Sequence, residues 1–197
     1  NATEFFLESP EGTQLACTYY PGHSNSGVLL AEGFGSDQNT LRSVTASLLR
    51  NGHHVLTFDF SGHGRSEGGL SFDNAGTNRL AAEIGVAFSE LEHRIPGAPL
   101  FCFGHSMGAR ALLQATAQER IAPEAMVLAG TQVNVLPNRQ ASFFTGIDDR
   151  ELPWVQSLDS SNPETDIYLV SSTWDDILTR ENAVALLSML NRPGSQE

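Results

Sequence analysis

Lysine is absent from all 197 residues, so the 11 cations are arginines. That absence excludes Schiff-base chemistry, a lysine general base and the phosphate-binding loop that ends in Gly-Lys-Ser/Thr. Cations of any kind are scarce, 11 against 23 Asp and Glu, for a formal net charge of −12. They are also scattered along the chain, whereas nucleic-acid binding needs clustered cations to neutralise several phosphates. No nucleic-acid partner is expected. Cys17 and Cys102 are the only cysteines, and both sit in apolar runs. Two such residues do not make a disulfide framework, so both are expected as buried free thiols. No apolar stretch approaches the ~20 residues that cross a bilayer, and no charged leader precedes an apolar core. No stable membrane anchor is expected, and a cytoplasmic location is the default.

Metal chemistry finds no support in the spacing. His53 and His54 are adjacent, and in a strand adjacent side chains point to opposite faces and cannot share an ion. Asp148-Asp149 and Asp175-Asp176 lack the glycine-centred spacing of a calcium loop. No metal and no cofactor is expected, and Asp148-Asp149 is expected as a solvated turn.

What is present is a chain with 40% hydrophobic and 17% charged residues, enough to bury the core of one domain over residues 1–197. Short β-rich runs alternate with longer segments of helical spacing, the pattern of an α/β fold with a mainly parallel sheet and helices on both faces. Phe5 to Glu8 and Leu15 to Tyr20 flank Ser9-Pro10-Glu11-Gly12 and predict an antiparallel hairpin. Strands are predicted at Val28 to Ala31, Val55 to Phe60, Leu100 to Phe103, Ala125 to Ala129 and Ile167 to Ser171. Helices are predicted around Leu41, Val44 and Leu48, around Leu80, Ile84, Phe88 and Leu91, over Met107 to Gln118, and near Arg180 to Leu190. The region from 131 to 165 is irregular and reads as a short lid or connection.

The chemistry centres on Gly104-His105-Ser106-Met107-Gly108, which lies between a predicted strand and a predicted helix. A serine on so tight a turn is strained, and its neighbours must lack side chains or strand and helix collide. The turn lifts the Ser106 hydroxyl above the carboxyl ends of the strands, toward the free N–H groups that open the next helix.

With this motif the chain resembles the α/β-hydrolase family, and three further stretches extend the resemblance over nearly its whole length. Glu32-Gly33-Phe34-Gly35-Ser36 stands where the family places the loop that completes its oxyanion hole. By that match the backbone amides of Phe34 and Met107 are the oxyanion donors. Asp59-Phe60-Ser61-Gly62-His63-Gly64-Arg65-Ser66 resembles a turn that is a structural signature of the family, with no catalytic role. Ser172-Thr173-Trp174-Asp175-Asp176 matches the turn that presents the acid of the triad, with Asp175 better placed than Asp176. The combination of Gly-His-Ser-Met-Gly with Gly-His-Gly-Arg-Ser is similar to the monoacylglycerol-lipase-like branch.

The family's base breaks the pattern. A serine hydroxyl needs a base, and the base needs a carboxylate to orient it. The family's chain order is Ser, Asp, His, yet the six histidines, His23, His53, His54, His63, His93 and His105, all precede Ser106. Three explanations stay open. The natural chain continues past Glu197 with a final strand, helix and His-bearing loop; the protein is a catalytically silent relative that binds without reacting; or another histidine substitutes. Of the candidate substitutes, His105 reads as structural or pocket-lining, and His63 as a packing residue of its turn. Glu32 is a second departure, since the family often has His there. Either its carboxylate points away from the oxyanion site, or the loop has been retuned. Phe34, Leu136, Phe143, Phe144 and Trp154 are candidates to line an apolar acyl pocket, with core packing as the alternative.

The resemblance implies a serine hydrolase of the esterase, lipase or thioesterase type that acts on small or medium acyl esters or thioesters, with Ser106 as nucleophile and Asp175 as acid.

Overall fold

A hairpin opens the chain. β1 (Thr3–Glu8) pairs antiparallel with β2 (Gln14–Tyr20), across a turn in which Ser9 Oγ accepts the Thr13 amide at 3.1 Å and Gly12 adopts φ +79°. From there strand and helix alternate: β3 (Gly27–Ala31), α1 (Arg42–Arg50), β4 (His54–Phe58), α2 (Asn74–Arg94), β5 (Leu100–His105), α3 (Met107–Ala117), β6 (Ala125–Ala129), α4 (Pro153–Ser157), β7 (Asp166–Val170) and α5 (Arg180–Met189). The computed structural model describes residues 1–131, 133–136, 148–158, 164–171 and 179–190. Among these residues the sheet has seven strands in the order β1-β2-β4-β3-β5-β6-β7. β2 meets β4 antiparallel, and β4, β3, β5, β6 and β7 run parallel.

Side-chain alternation sorts the strands into two faces. Leu29, Ala31, Leu56, Phe58 and Cys102 point into the larger core, where they meet Leu80, Ile84 and Leu91 of α2, Leu112 of α3, Trp154 of α4 and Leu186 of α5. Val28, Leu30 and Val55 point the other way and are covered by Leu41 and the α1 residues Val44 and Leu48. All five residues of β3 are buried, as a parallel strand covered on both faces requires. Each fully buried Leu, Ile or Phe contributes about 1.5–3 kcal/mol.

The helix boundaries follow from single residues. Asp73 caps α2 by accepting the Gly76 amide at 2.7 Å. Gly52, at φ +89°, supplies the left-handed turn that follows α1. Pro153 occupies the first turn of α4, where its missing N–H costs nothing, and the Thr179 side chain caps α5.

The main difference from expectation lies at β4, predicted to run to Phe60 but ending at Phe58. Asp59 still donates its N–H to Ala16 O at 2.9 Å. Its side chain has already turned to accept the Gln38 amide and the Arg65 amide of the following loop, and the chain leaves the sheet there.

Candidate active site

Five strand ends, those of β3 to β7, meet along one edge of the sheet, and Ser106 sits at the end of β5. Its backbone has φ 52° and ψ −111°, a left-handed conformation that costs a non-glycine residue on the order of 1–3 kcal/mol. Two backbone bonds hold it there: Ser106 N–H donates to Ala129 O at 2.8 Å, and Arg110 N–H donates to Ser106 O at 3.1 Å. The flanking glycines leave no choice of residue. A Cβ at Gly104 would stand 2.7 Å from Ala109 N and Cα, and one at Gly108 would stand 2.3 Å from Glu32 O.

The loop after β3 lies directly against this turn, because Ala31 pairs with Gly104. A Cβ at Gly33 would stand 3.4 Å from Ser106 Cβ and 2.8 Å from His105 Nδ1. The His105 ring therefore packs over the Gly33 backbone, with the residue exposed at the sheet edge. Residues 33–36 form a turn closed by Ser36 N–H to Gly33 O at 3.3 Å, with Gly35 at φ +70° in the position that type II turns reserve for glycine. Neither Phe34 nor Met107, the predicted donor amides, gives its N–H to another described residue.

Glu32 points away from that turn, which resolves the two alternatives left by the sequence. Its carboxylate is fully buried, and Oε1 accepts His63 Nδ1 at 2.7 Å and the Phe60 amide at 3.2 Å. On the far side of the imidazole, Gly35 N–H donates to His63 Nε2 at 3.2 Å. Because Nε2 accepts, the ring proton is on Nδ1 and is donated to Glu32. Burial pushes the Glu32 carboxyl above its ordinary range; the bond from His63 and the Phe60 amide oppose the rise, and Asp59 adds to it. Phe34, 51% exposed, sets its ring beside that of His63, tilted at 40° with centroids 6.1 Å apart, and meets Phe72 edge-on at 5.1 Å.

The Asp59–Ser66 turn is held by a set of polar bonds, with Phe60 buried in the core beneath them. Asp59 accepts the Gln38 and Arg65 amides at 2.8 and 2.9 Å, and Ser66 Oγ donates to Asp59 O at 2.6 Å. A Cβ at Gly64 would stand 2.2 Å from Asp59 Oδ2. Beneath it Glu83 of α2, fully buried, accepts the Ser61 amide at 3.1 Å and the Ser61 hydroxyl.

Asp148-Asp149 corrects the expectation of a solvated turn. Asp148 does cap a short turn, but Asp149 is buried and pairs with Arg110 at 2.9 Å while accepting the Asn134 amide at 2.8 Å. Burial lowers the Arg110 guanidinium from its ordinary value, and Asp149 opposes that. The guanidinium carbon lies 5.2 Å from the centre of the Trp154 ring. Trp154, a candidate pocket residue, thus sits in the core layer over Arg110.

Asp175, Asp176, Phe143 and Phe144 lie outside the described residues. His53 and His54 are at the opposite edge of the sheet, bonded to Ser26 Oγ at 2.7 Å and Tyr19 OH at 2.5 Å. Cys17 and Cys102 are buried and free. Among the described residues no three His, Cys, Asp or Glu side chains are grouped to hold a metal ion, and no helix is long and apolar enough to cross a membrane. Sequence reasoning missed the Glu32–His63 couple as a unit. Its signal was there, since both residues follow neighbouring parallel strands.

The model of the family described as serine aminopeptidase, S33, matches residues 22–183. Lysophosphatidylserine lipase ABHD12 of Danio rerio is 31% identical over 127 residues, which cover 62% of this chain and 30% of that protein. The matched stretch is thus less than a third of that relative's length. Among solved structures, an esterase of Pyrococcus furiosus has a TM-score of 0.76 at 18% identity, covering 97% of this chain and 78% of that one. A lipase in an open form has a TM-score of 0.77 at 15% identity, covering 100% and 88%. At such identities these structures share the fold.

Proposed function

The chain belongs to the serine aminopeptidase S33 family of α/β-hydrolases, and from that premise we propose that it cleaves carboxylic ester or thioester bonds of small to medium acyl substrates through Ser106. The observation that carries the proposal is the turn itself. A serine is held at φ 52° between two glycines whose positions admit no side chain, and such strain persists where the surrounding structure and a function maintain it.

In this mechanism Ser106 Oγ attacks the substrate carbonyl and gives up its proton to a histidine base. The Phe34 and Met107 amides stabilise the developing oxyanion, Asp175 orients the base, and water releases the acyl group. His63 does not suit the role of base, because both ring nitrogens are engaged and the residue is buried. His105 packs over Gly33 and adjoins the nucleophile on a turn that sends consecutive side chains to different sides. The base is therefore proposed to be a histidine outside these 197 residues. The similarity to a lysophosphatidylserine lipase supports an ester substrate.

The test is a fluorophosphonate probe, which labels activated serines, applied to the full-length natural protein. One adduct mapping to Ser106 is expected, and Ser106→Ala is expected to abolish both labelling and turnover of p-nitrophenyl esters while leaving the melting temperature near the parent's. No adduct and no turnover above background would favour a hydrolase-like binding protein instead.

A further inference from the structure

Glu32, His63 and Gly35 form a relay of two hydrogen bonds that ends on the backbone beside Ser106. It begins at a carboxylate with no exposure, crosses an imidazole that is 6% exposed, and reaches the Gly35 amide at 3.2 Å. That amide belongs to the peptide joining Phe34 to Gly35, the central peptide of the 33–36 turn. Central peptides of such turns have two orientations, one for type II and its flipped form for type I, and only the first requires the positive φ seen at Gly35. An acceptor at His63 Nε2 holds the N–H toward the ring and so selects the observed form. A donor there would meet the N–H head-on and favour the flip, which would release the one side-chain bond that anchors this peptide to the neighbouring loop.

Glu32 decides which nitrogen accepts. As an acceptor it draws the ring proton to Nδ1, leaving the Nε2 lone pair for Gly35. The imidazole is buried, with the Phe34 ring tilted against it, which limits competition from water for that lone pair. Glu32 and His63 are both buried, and Gly33 leaves little space between the turn and Ser106.

We propose that His63, with its tautomer set by Glu32, is a positioning residue that anchors the Gly35 N–H and so holds the 33–36 turn against Ser106, keeping the Phe34 amide of the preceding peptide in place for the oxyanion formed on attack by Ser106. This rests on the proposed nucleophilic role of Ser106 and adds to it a residue that touches no substrate atom.

The test compares two substitutions that split the imidazole into its halves. In His63→Asn the amide reaches the Nδ1 position and can still donate to Glu32, but no acceptor faces Gly35. In His63→Gln an oxygen reaches the Nε2 position and can accept the Gly35 N–H. With p-nitrophenyl butyrate and full-length protein, kcat is expected to fall about 100-fold in His63→Asn with KM little changed, the scale of losing one oxyanion donor. In His63→Gln kcat should recover to within about 10-fold of the parent, since the donor is again held in place. Equal losses in the two variants, a loss carried by KM, or no loss would overturn the inference. Should neither variant fold, 15N NMR of the histidine-labelled parent decides: a proton on Nδ1 and a bare Nε2 are expected at His63, and a proton on Nε2 overturns it. Fluorophosphonate labelling separates the two levels. A parent without a Ser106 adduct overturns the hydrolase proposal and this inference together, whereas a labelled parent with equal His63 losses overturns this inference alone.

Discussion

Two buried carboxylates are tied to the turn at Ser106, and they are partnered in opposite ways. Asp149 faces Arg110, a permanent cation whose own N–H donates to Ser106 O. Glu32 faces His63, a ring that accepts an amide at its other nitrogen. The first pair secures the helix that follows the serine; the second secures the loop in front of it. Charge is needed in one place and a defined proton in the other. A guanidinium buried without its carboxylate has nowhere to place its charge, while an imidazole without its carboxylate merely loses a preference between two tautomers.

The largest expected effect comes from breaking the charged pair. Asp149→Ala leaves Arg110 uncompensated under Trp154 and should destabilise the protein by about 3–5 kcal/mol in urea unfolding. Replacing both partners by apolar residues of similar size, Arg110→Met with Asp149→Leu, should restore most of that loss. If the double variant is as unstable as the single one, burial of unpaired charge is not the cause.

Glu32 sharpens the contrast through pH. Burial raises its carboxyl above the ordinary 4.5, so the folded state holds the proton more tightly than the unfolded chain. Its contribution to stability is therefore full below about 4.5 and is lost as pH rises through the raised value. Glu32→Gln should remove that decline, so the stability advantage of the parent over the variant shrinks with rising pH. An advantage that grows with pH would mean the bond from His63 outweighs burial.

Cys17 gives the smallest effect and serves as a control, being buried with its thiol directed at the Leu15 carbonyl, at 3.4 Å. Burial pushes its thiol from 9.0 up to about 12. Its contribution is full below pH 9 and is lost as pH rises through about 12. Cys17→Ala should flatten the alkaline side of the stability curve and leave its dependence below pH 9 unchanged, as read from melting temperatures across pH.

The same two carboxylates mark how far the sequence could be read. Strands and helices were legible because apolar spacing is local: every predicted element is found, with its ends shifted by a few residues at most. The serine turn was legible because Gly104 and Gly108 announce the close approach of strand and helix. Glu32 was recognised as out of pattern, but its direction depended on His63, which lies on another loop. Asp149 carried no signal at all. Its partner Arg110 is on a helix that reads as ordinary core, and only the fold brings the two within 2.9 Å. Buried polar pairs join distant segments, so periodicity is blind to them.

The bond from Ser106 N–H to Ala129 O also imposes an order of events. The strained turn is locked not only from its own helix, through Arg110, but also by a strand that comes later in the chain, after the whole of α3. During synthesis the serine emerges first and remains free to relax into an unstrained conformation. Its second backbone bond forms when β6 docks beside β5, a non-local pairing of the kind that forms slowly. The reactive conformation is thus acquired late, as a product of sheet completion, so a partly folded chain carries an ordinary serine.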